Sequence, residues 1–181
     1  MSTAQEKVTA NSDAGRLAGK YLTFALGREE YGLEILKVRE IIGYMDITAV
    51  PRTPEYVRGV INLRGQVISV IDLRAKFGME SAARTDQTCI IVVEIQRNGR
   101  RLNTGIVVDR VSEVLNIGAD KIEGPPEFGA AVRVEFILGM GKINDSVKIL
   151  LDIDKVLSAE DAAAVAGAAE AAAVGAVGAA A

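Results

Sequence analysis

Four side chains invite a catalytic reading: the thiol of Cys89 as a nucleophile, and the carboxylates of Asp72, Asp152 and Asp154 as metal ligands or acid–base groups. The rest of the chain withholds the partners such chemistry needs. There is no histidine, which removes the usual general base, the commonest zinc ligand and any Ser-His-Asp or Cys-His arrangement. Cys89 is the only cysteine; it opens an apolar strand and reads as an inert core thiol. Asp72 and Asp152 each close an apolar run just before a short helical stretch, where a carboxylate caps a helix. Asp154 reads as a surface charge. No Gly-x-x-x-x-Gly-Lys-Ser/Thr or Gly-x-Gly-x-x-Gly occurs, and Gly139-Met-Gly141-Lys142 only approximates one. Paired carboxylates for glycoside hydrolysis are neither excluded by spacing nor supported. The expectation is a protein without catalytic residue, metal or cofactor.

What remains is recognition. Asn62-Leu-Arg-Gly65 places Arg64 at a tight bend between apolar strands, where a guanidinium can grip a carboxylate with two hydrogen bonds or lie in water. Ile35–Ile42 puts Val38 and Ile41 three apart, on one face if helical, with Glu40 beside them; core packing and partner contact are equally good readings. Pro125-Pro-Glu-Phe128 stiffens a loop around Phe128, which either anchors a contact or folds back as a lid.

The elements that must position these residues are mostly short strands. Tyr21–Leu26 and Tyr31–Leu33 flank a turn at Gly27; Val57–Leu63 and Val67–Ile71 flank Arg64-Gly65; Thr88–Gln96 and Leu102–Val108 flank Asn98-Gly99, the clearest hairpin signal. Val132–Leu138 and Val147–Leu151 complete the set, with short helical stretches at Leu33–Glu40, Leu73–Phe77 and Ile153–Leu157. Such a pattern indicates barrels or sandwiches.

The pattern also repeats. Gly32-Leu33, Val38 and Glu40-Ile41 recur 73 residues later as Gly105-Ile106, Val111 and Glu113-Val114. Gly59 and Gly139 are each followed 13 residues later by an aspartate, Asp72 and Asp152, before a Lys-containing apolar stretch. This implies duplicated units of about 70 to 80 residues, each with about five strands. Residues 81–87 are the best linker, giving a first barrel at about 20–85 and a second at about 86–157, with a soft boundary because an end strand can cross over.

Composition narrows the class further. Of 181 residues 49% are apolar and 25% charged, enough for a core in one domain or two small ones. The net charge of −3 is carried by Glu160, Asp161 and Glu170, so residues 1–157 are neutral. A neutral body argues against a nucleic-acid binder, although a small nucleic-acid-binding β-barrel stands as the alternative. Residues 1–19 read as a flexible start lacking the order of a secretory signal. The Ala- and Gly-rich stretch 158–181 reads as a mobile tail, a frayed helix or disorder, and too small-sided to span a membrane. One cysteine suits a reducing compartment.

Phe24–Ile42, Thr48-Ala-Val-Pro51, Pro54 and Arg58–Arg74 together resemble the CheW family of bacterial chemotaxis coupling proteins, and Gly105–Val111 with Pro126-Glu-Phe128 continue the likeness. It runs from about Lys20 to Leu157, without an attached response-regulator or kinase segment, so a stand-alone coupling protein is expected. One departure is Ser69, where many members have Pro. The resemblance implies an all-β fold with short helices: two intertwined five-stranded SH3-like barrels, in agreement with the repeat. It implies a cytoplasmic, non-enzymatic adaptor between the cytoplasmic tips of chemoreceptors (methyl-accepting chemotaxis proteins) and the regulatory domain of the chemotaxis histidine kinase, recruited to membrane-associated arrays without inserting into the membrane or binding nucleic acid. A receptor helical hairpin would lie in the groove between the barrels. The implied receptor-binding residues are Val38, Glu40, Ile41 and Arg64, with Val111 on the apolar wall; Gly59 and Phe128 would contact the kinase or its ring.

Overall fold

A computed structural model describes residues 15–125 and 135–157. Eleven strands dominate it: β1 Gly19–Leu26, β2 Glu29–Glu34, β3 Val38–Gly43, β4 Val57–Leu63, β5 Gln66–Asp72, β6 Cys89–Arg97, β7 Arg100–Val108, β8 Arg110–Ile117, β9 Ile122–Glu123, β10 Ile137–Ile143 and β11 Ser146–Leu151. Single helical turns include α1 Leu73–Lys76 and α2 Ile153–Val156, with 3₁₀ turns at Ile35–Lys37 and Ala119–Lys121. The chain divides into two units. The β6 unit is built on Lys37–Arg110; the β1 unit takes the chain up to Leu36 together with Val111–Val156. Neither is a contiguous half of the sequence, and the break expected near residue 85 falls inside the β6 unit, between α1 and β6.

The β6 unit carries a five-stranded sheet in the order β3-β6-β7-β5-β4. Its pairs are antiparallel except β5 with β7, which run parallel at the centre. Ile61 and Ile68, Val70, Ile90 and Val92 form one buried cluster, with Ile42, Leu63 and Val107 packed against it. All five strands therefore reach one cluster, which a flat sheet does not permit. The sheet curls around its core, yet its hydrogen bonds do not close it into a barrel.

The β1 unit carries a six-stranded sheet, β8-β1-β2-β11-β10-β9, with β11 parallel to β2 at the centre. Tyr21, Ile117, Ile122 and Leu150 form its cluster. The two orders follow the same path through corresponding elements: β8 matches β3, the β1–β2 hairpin matches β6–β7, and β10–β11 match β4–β5. The local devices match as well. A register shift stands next to Gly59 in β4 and next to Gly139 in β10. At Gly59 a Cβ would lie 2.0 Å from the Thr48 carbonyl oxygen, and at Gly139 2.8 Å from that of Glu123. Each bulge glycine thus admits a neighbouring chain, Thr48 bridging Val60 and β9 pairing β10. Asp72 accepts from the Ala75 N–H (3.3 Å) and Asp152 from the N–H groups of Asp154 and Lys155 (3.1 and 3.3 Å), so both cap helices as their positions imply.

Two expectations need correction. In place of two five-stranded barrels stand a five-stranded and a six-stranded sheet, neither closed by hydrogen bonds. The helix expected over Leu33–Glu40 is one 3₁₀ turn, and Val38–Gly43 is strand β3, because Val38, Ile41 and Ile42 find cross-strand partners along β6. The strand expected at Val132–Leu138 begins outside the described residues; within them strand β10 runs over Ile137–Ile143. Gly139 and Gly141, weighed in the sequence against a phosphate-loop motif, relieve close approaches inside this strand. Phe128, the N-terminal stretch up to residue 14 and the tail at 158–181 lie outside the described residues.

Candidate functional site

The hairpin β4–β5 turns on two residues, Arg64 and Gly65, at φ 51° and 83°. Positive φ at both is the geometry that matches strand twist, and it favours Asn or Gly. Elsewhere in this chain the same turn is made by Asn98-Gly99 and Asn144-Asp145. Asn62 Oδ1 accepts from the Gly65 N–H at 2.9 Å and holds the bend. Arg64 thus occupies a backbone position that sterics would assign to another residue.

Its side chain reaches Glu40. Arg64 Nη1 donates to Oε1 at 2.8 Å and Nη2 to Oε2 at 2.6 Å, a two-bond fork. Glu40 lies on β3 and Arg64 on the β4–β5 turn, at opposite edges of the five-strand order. In a flat sheet those edges are about 19 Å apart at ~4.8 Å per strand. Curling brings them together, and this ion pair spans the gap that backbone hydrogen bonds leave. Bonding to Glu40, then its charge, pushes the Arg64 pKa above its ordinary value, so the guanidinium stays charged at any physiological pH.

A bulge in β3 decides which side chains face the core. Val38 opposes Val93, Glu40 opposes Val92 and Ile41 opposes Ile91, with a register shift between Val38 and Glu40. Cross-strand partners share a face, so Glu40 turns toward the cluster containing Val92 while Val38 and Ile41 share the opposite face. Three-residue spacing does put Val38 and Ile41 together, by a bulge and not by a helix. Ile41 is 45% exposed, high for a large apolar side chain in a paired strand.

Glu40 and Arg64 stand at the rim of an open groove of about 380 Å³, lined also by Arg39, Leu63, Gln66, Ile68, Val92 and Asn103. Leu63, Ile68 and Val92 are its apolar lining residues, and Ile68 and Val92 are buried. Arg39 donates to Glu94 at the same rim. In both pairs the cation is the outer member: side-chain exposure is 51% for Arg39 against 18% for Glu94, and 74% for Arg64 against 26% for Glu40. The rim therefore carries two Arg–Glu pairs whose charges cancel, the arginine being the more exposed member of each.

The structure thus joins Glu40 and Arg64, leaves Val38 and Ile41 on the other face of β3, and places Val111 half-buried at the start of β8, outside the groove lining. Gly59 is a buried bulge residue. Arg39, Ile68, Val92 and Asn103 escaped the sequence reading. Ile68 and Val92 look like any core strand residue, and only the curl, which no local pattern encodes, brings them to one opening. Asp72 and Asp109 are absorbed by structure. Arg58 Nε donates to Asp72 Oδ2 at 2.9 Å, and Arg74 grips Asp109 at 2.7 and 2.5 Å. Bonding to Asp109 raises the Arg74 pKa against the lowering effect of burial. Cys89 is half-buried, and among the described residues no three His, Cys, Asp or Glu side chains gather to hold a metal ion.

Comparison with known proteins places this arrangement. The model of the CheW-like domain matches residues 20–161. The chain is 42% identical over 158 residues to the chemotaxis protein CheW of Klebsiella aerogenes, covering 87% of this chain and 93% of that protein. It is 36% identical over 137 residues to a probable chemotaxis protein CheW of Rhizobium etli, covering 76% and 86%. The crystal structure of the scaffolding protein TtCheW from Thermoanaerobacter tengcongensis matches with a TM-score of 0.70 at 35% identity, covering 80% of this chain and 95% of that one. The chain belongs to the CheW family, whose members are chemotaxis adaptors and not enzymes.

Proposed function

We propose that this adaptor couples the cytoplasmic tips of chemoreceptors to the regulatory domain of the chemotaxis histidine kinase, and that it is recruited to receptor arrays at the membrane. Among the described residues no helix is long and apolar enough to cross a membrane, so recruitment works through protein contacts. We read the two curled sheets as SH3-like barrels that arose by duplication and exchanged a strand, on the strength of their matching strand orders and bulge glycines. Glu40 and Arg64, with Val38, Ile41 and Val111, make the receptor contacts; Gly59 and Phe128 serve the kinase or ring contacts. Nothing in the relatives' names favours the nucleic-acid alternative.

The observation that carries this reading is Arg64 itself. Its fork grips Glu40 at the rim of the groove from φ 51° in the two-residue β4–β5 turn, a position that Asn98 and Asn144 take in the β6–β7 and β10–β11 turns. Signal transfer then needs only a preference between two arrangements of bound partners.

The test is co-sedimentation with receptor-containing membranes, with and without the kinase. Arg64→Glu is expected to lower retention on the order of tenfold, with its melting transition kept, since rim charges govern association. Full retention by a folded Arg64→Glu protein would remove Arg64 from the receptor contact.

A further inference from the structure

The β6–β7 hairpin ends in a cluster of positive charge that the adaptor reading leaves unused. Between Ile95 and Leu102 the sequence runs Gln96-Arg-Asn-Gly-Arg-Arg101, with three arginines and no acid. Asn98 and Gly99 make the turn at φ 50° and 74°, so the arginines are not needed to form it. Arg97 and Arg100 stand directly opposite each other across the ladder, and like charges in that position are destabilising. Arg100 and Arg101 are exposed, and neither side chain makes a hydrogen bond or ion pair among the described residues. Glu94, the nearest acid along β6, is taken by Arg39. The arginines of β3, β4 and the β4–β5 turn, by contrast, pair with carboxylates.

The charge that balances this tip lies in the same chain. Residues 1–157 are neutral in sum, and the net −3 sits on Glu160, Asp161 and Glu170 in a stretch without lysine or arginine. That stretch follows Leu157, which is buried and falls with the β6 unit. From Leu157 an extended chain reaches about 14 Å to Asp161 and about 45 Å to Glu170. The nine-residue strand β7 is about 30 Å long, so Glu170 has the reach to meet the tip from either end of that strand.

We propose that the arginine tip of the β6–β7 hairpin is a docking surface for this chain's own acidic segment, residues 160–170. The inference is independent of the adaptor reading, since both members belong to one chain. A single exposed ion pair contributes little. Tethering changes that balance, because it holds the carboxylates near the tip at an effective concentration on the order of millimolar. Guanidiniums also offer a fork of donors that matches a carboxylate. The consequence is a shielded tip: an acidic ligand from outside reaches Arg100 and Arg101 only by displacing the segment.

The test compares three full-length proteins by nuclear magnetic resonance, with a melting curve for each. Glu160→Gln with Asp161→Asn and Glu170→Gln neutralises the segment; Arg100→Gln with Arg101→Gln neutralises the tip at two exposed positions. Neutralising the segment is expected to shift the backbone amide resonances of residues 96–101, and neutralising the tip those of the segment. Both differences are expected to be lost in about 1 M NaCl, where the Debye length is about 3 Å, and to be independent of protein concentration. Poly-L-glutamate, a soluble acidic probe, is expected to bind the segment-neutral protein about threefold or more tighter than wild type, because its competitor is gone. Hairpin resonances indifferent to the charges of the segment overturn the proposal. Shifts that grow with protein concentration also overturn it, by giving the tip to a second copy of the chain. Equal binding of the probe by wild type and the segment-neutral protein shows an unshielded tip and overturns it as well.

Discussion

Thr104 sits in β7 at 0% exposure, and its hydroxyl is a buried side-chain oxygen without a hydrogen-bond partner. A buried hydroxyl without a partner costs its desolvation with no return. Thr104→Val keeps the branched shape and removes the orphan, so it is expected to raise stability by about 1 kcal/mol, read from the midpoint of chemical unfolding; a lower midpoint would show that the hydroxyl is satisfied. Tyr21 is the opposite case. It is buried, its hydroxyl donates to the Leu17 carbonyl at 2.5 Å, and burial, then repulsion from Glu34, raises its pKa from 10.0 to about 12. The folded state therefore holds this proton more tightly than the unfolded chain. Its contribution to stability is complete below pH 10 and is lost as the pH rises through 12. Tyr21→Phe is expected to be less stable at neutral pH by about 1 kcal/mol, with the gap to wild type closing over that alkaline window in pH-dependent unfolding. A gap independent of pH would separate Tyr21 from the titration.

At the scale of elements, two glycines in the β4–β5 hairpin test what each device does. Gly59 has φ 140° and faces Thr48 closely enough that a Cβ would collide with its carbonyl, whereas Gly65 has φ 83° with open space around it. Gly65→Ala meets only the backbone penalty, about 1 kcal/mol. Gly59→Ala adds the collision and is expected to cost about 3 kcal/mol or more, by separating Thr48 from Val60. Equal costs, measured by urea unfolding, would mean that the bulge does not need its glycine. The hairpins were legible because their turns announce themselves: Asn98-Gly99 and Arg64-Gly65 sit between apolar runs of strand length. β3 was misread because Val38 and Ile41 keep helical spacing, and only the bulge opposite Val92 explains that spacing in a strand. Glu40 and Arg64 were legible as candidates one at a time; their contact was not, because it depends on the curl of four intervening strand steps and not on any local signal.

The whole chain tests how far the repeat in the sequence is a division of the molecule. The repeated residues do occupy matched strands, yet the chain does not fold as one repeat after the other: β3 pairs with β6, and β8 joins β1. A repeat of residues is visible in sequence; which strand pairs with which is not, because pairing leaves no local mark. Cutting after residue 85 therefore removes β6 and β7 from β3, β4 and β5, and strips the β1–β2 hairpin of β8 and β11. Each fragment keeps hairpins lacking a complete sheet, and isolated two-stranded hairpins are marginal at best in water. Neither 1–85 nor 86–181 is expected to show a cooperative melting transition alone, whereas co-expression of the two should restore one, because every broken pairing reforms between fragments. A fragment 1–85 that melts cooperatively by itself would mean that its strands pair with one another, and the assignment of β3 to β6 would fall with it.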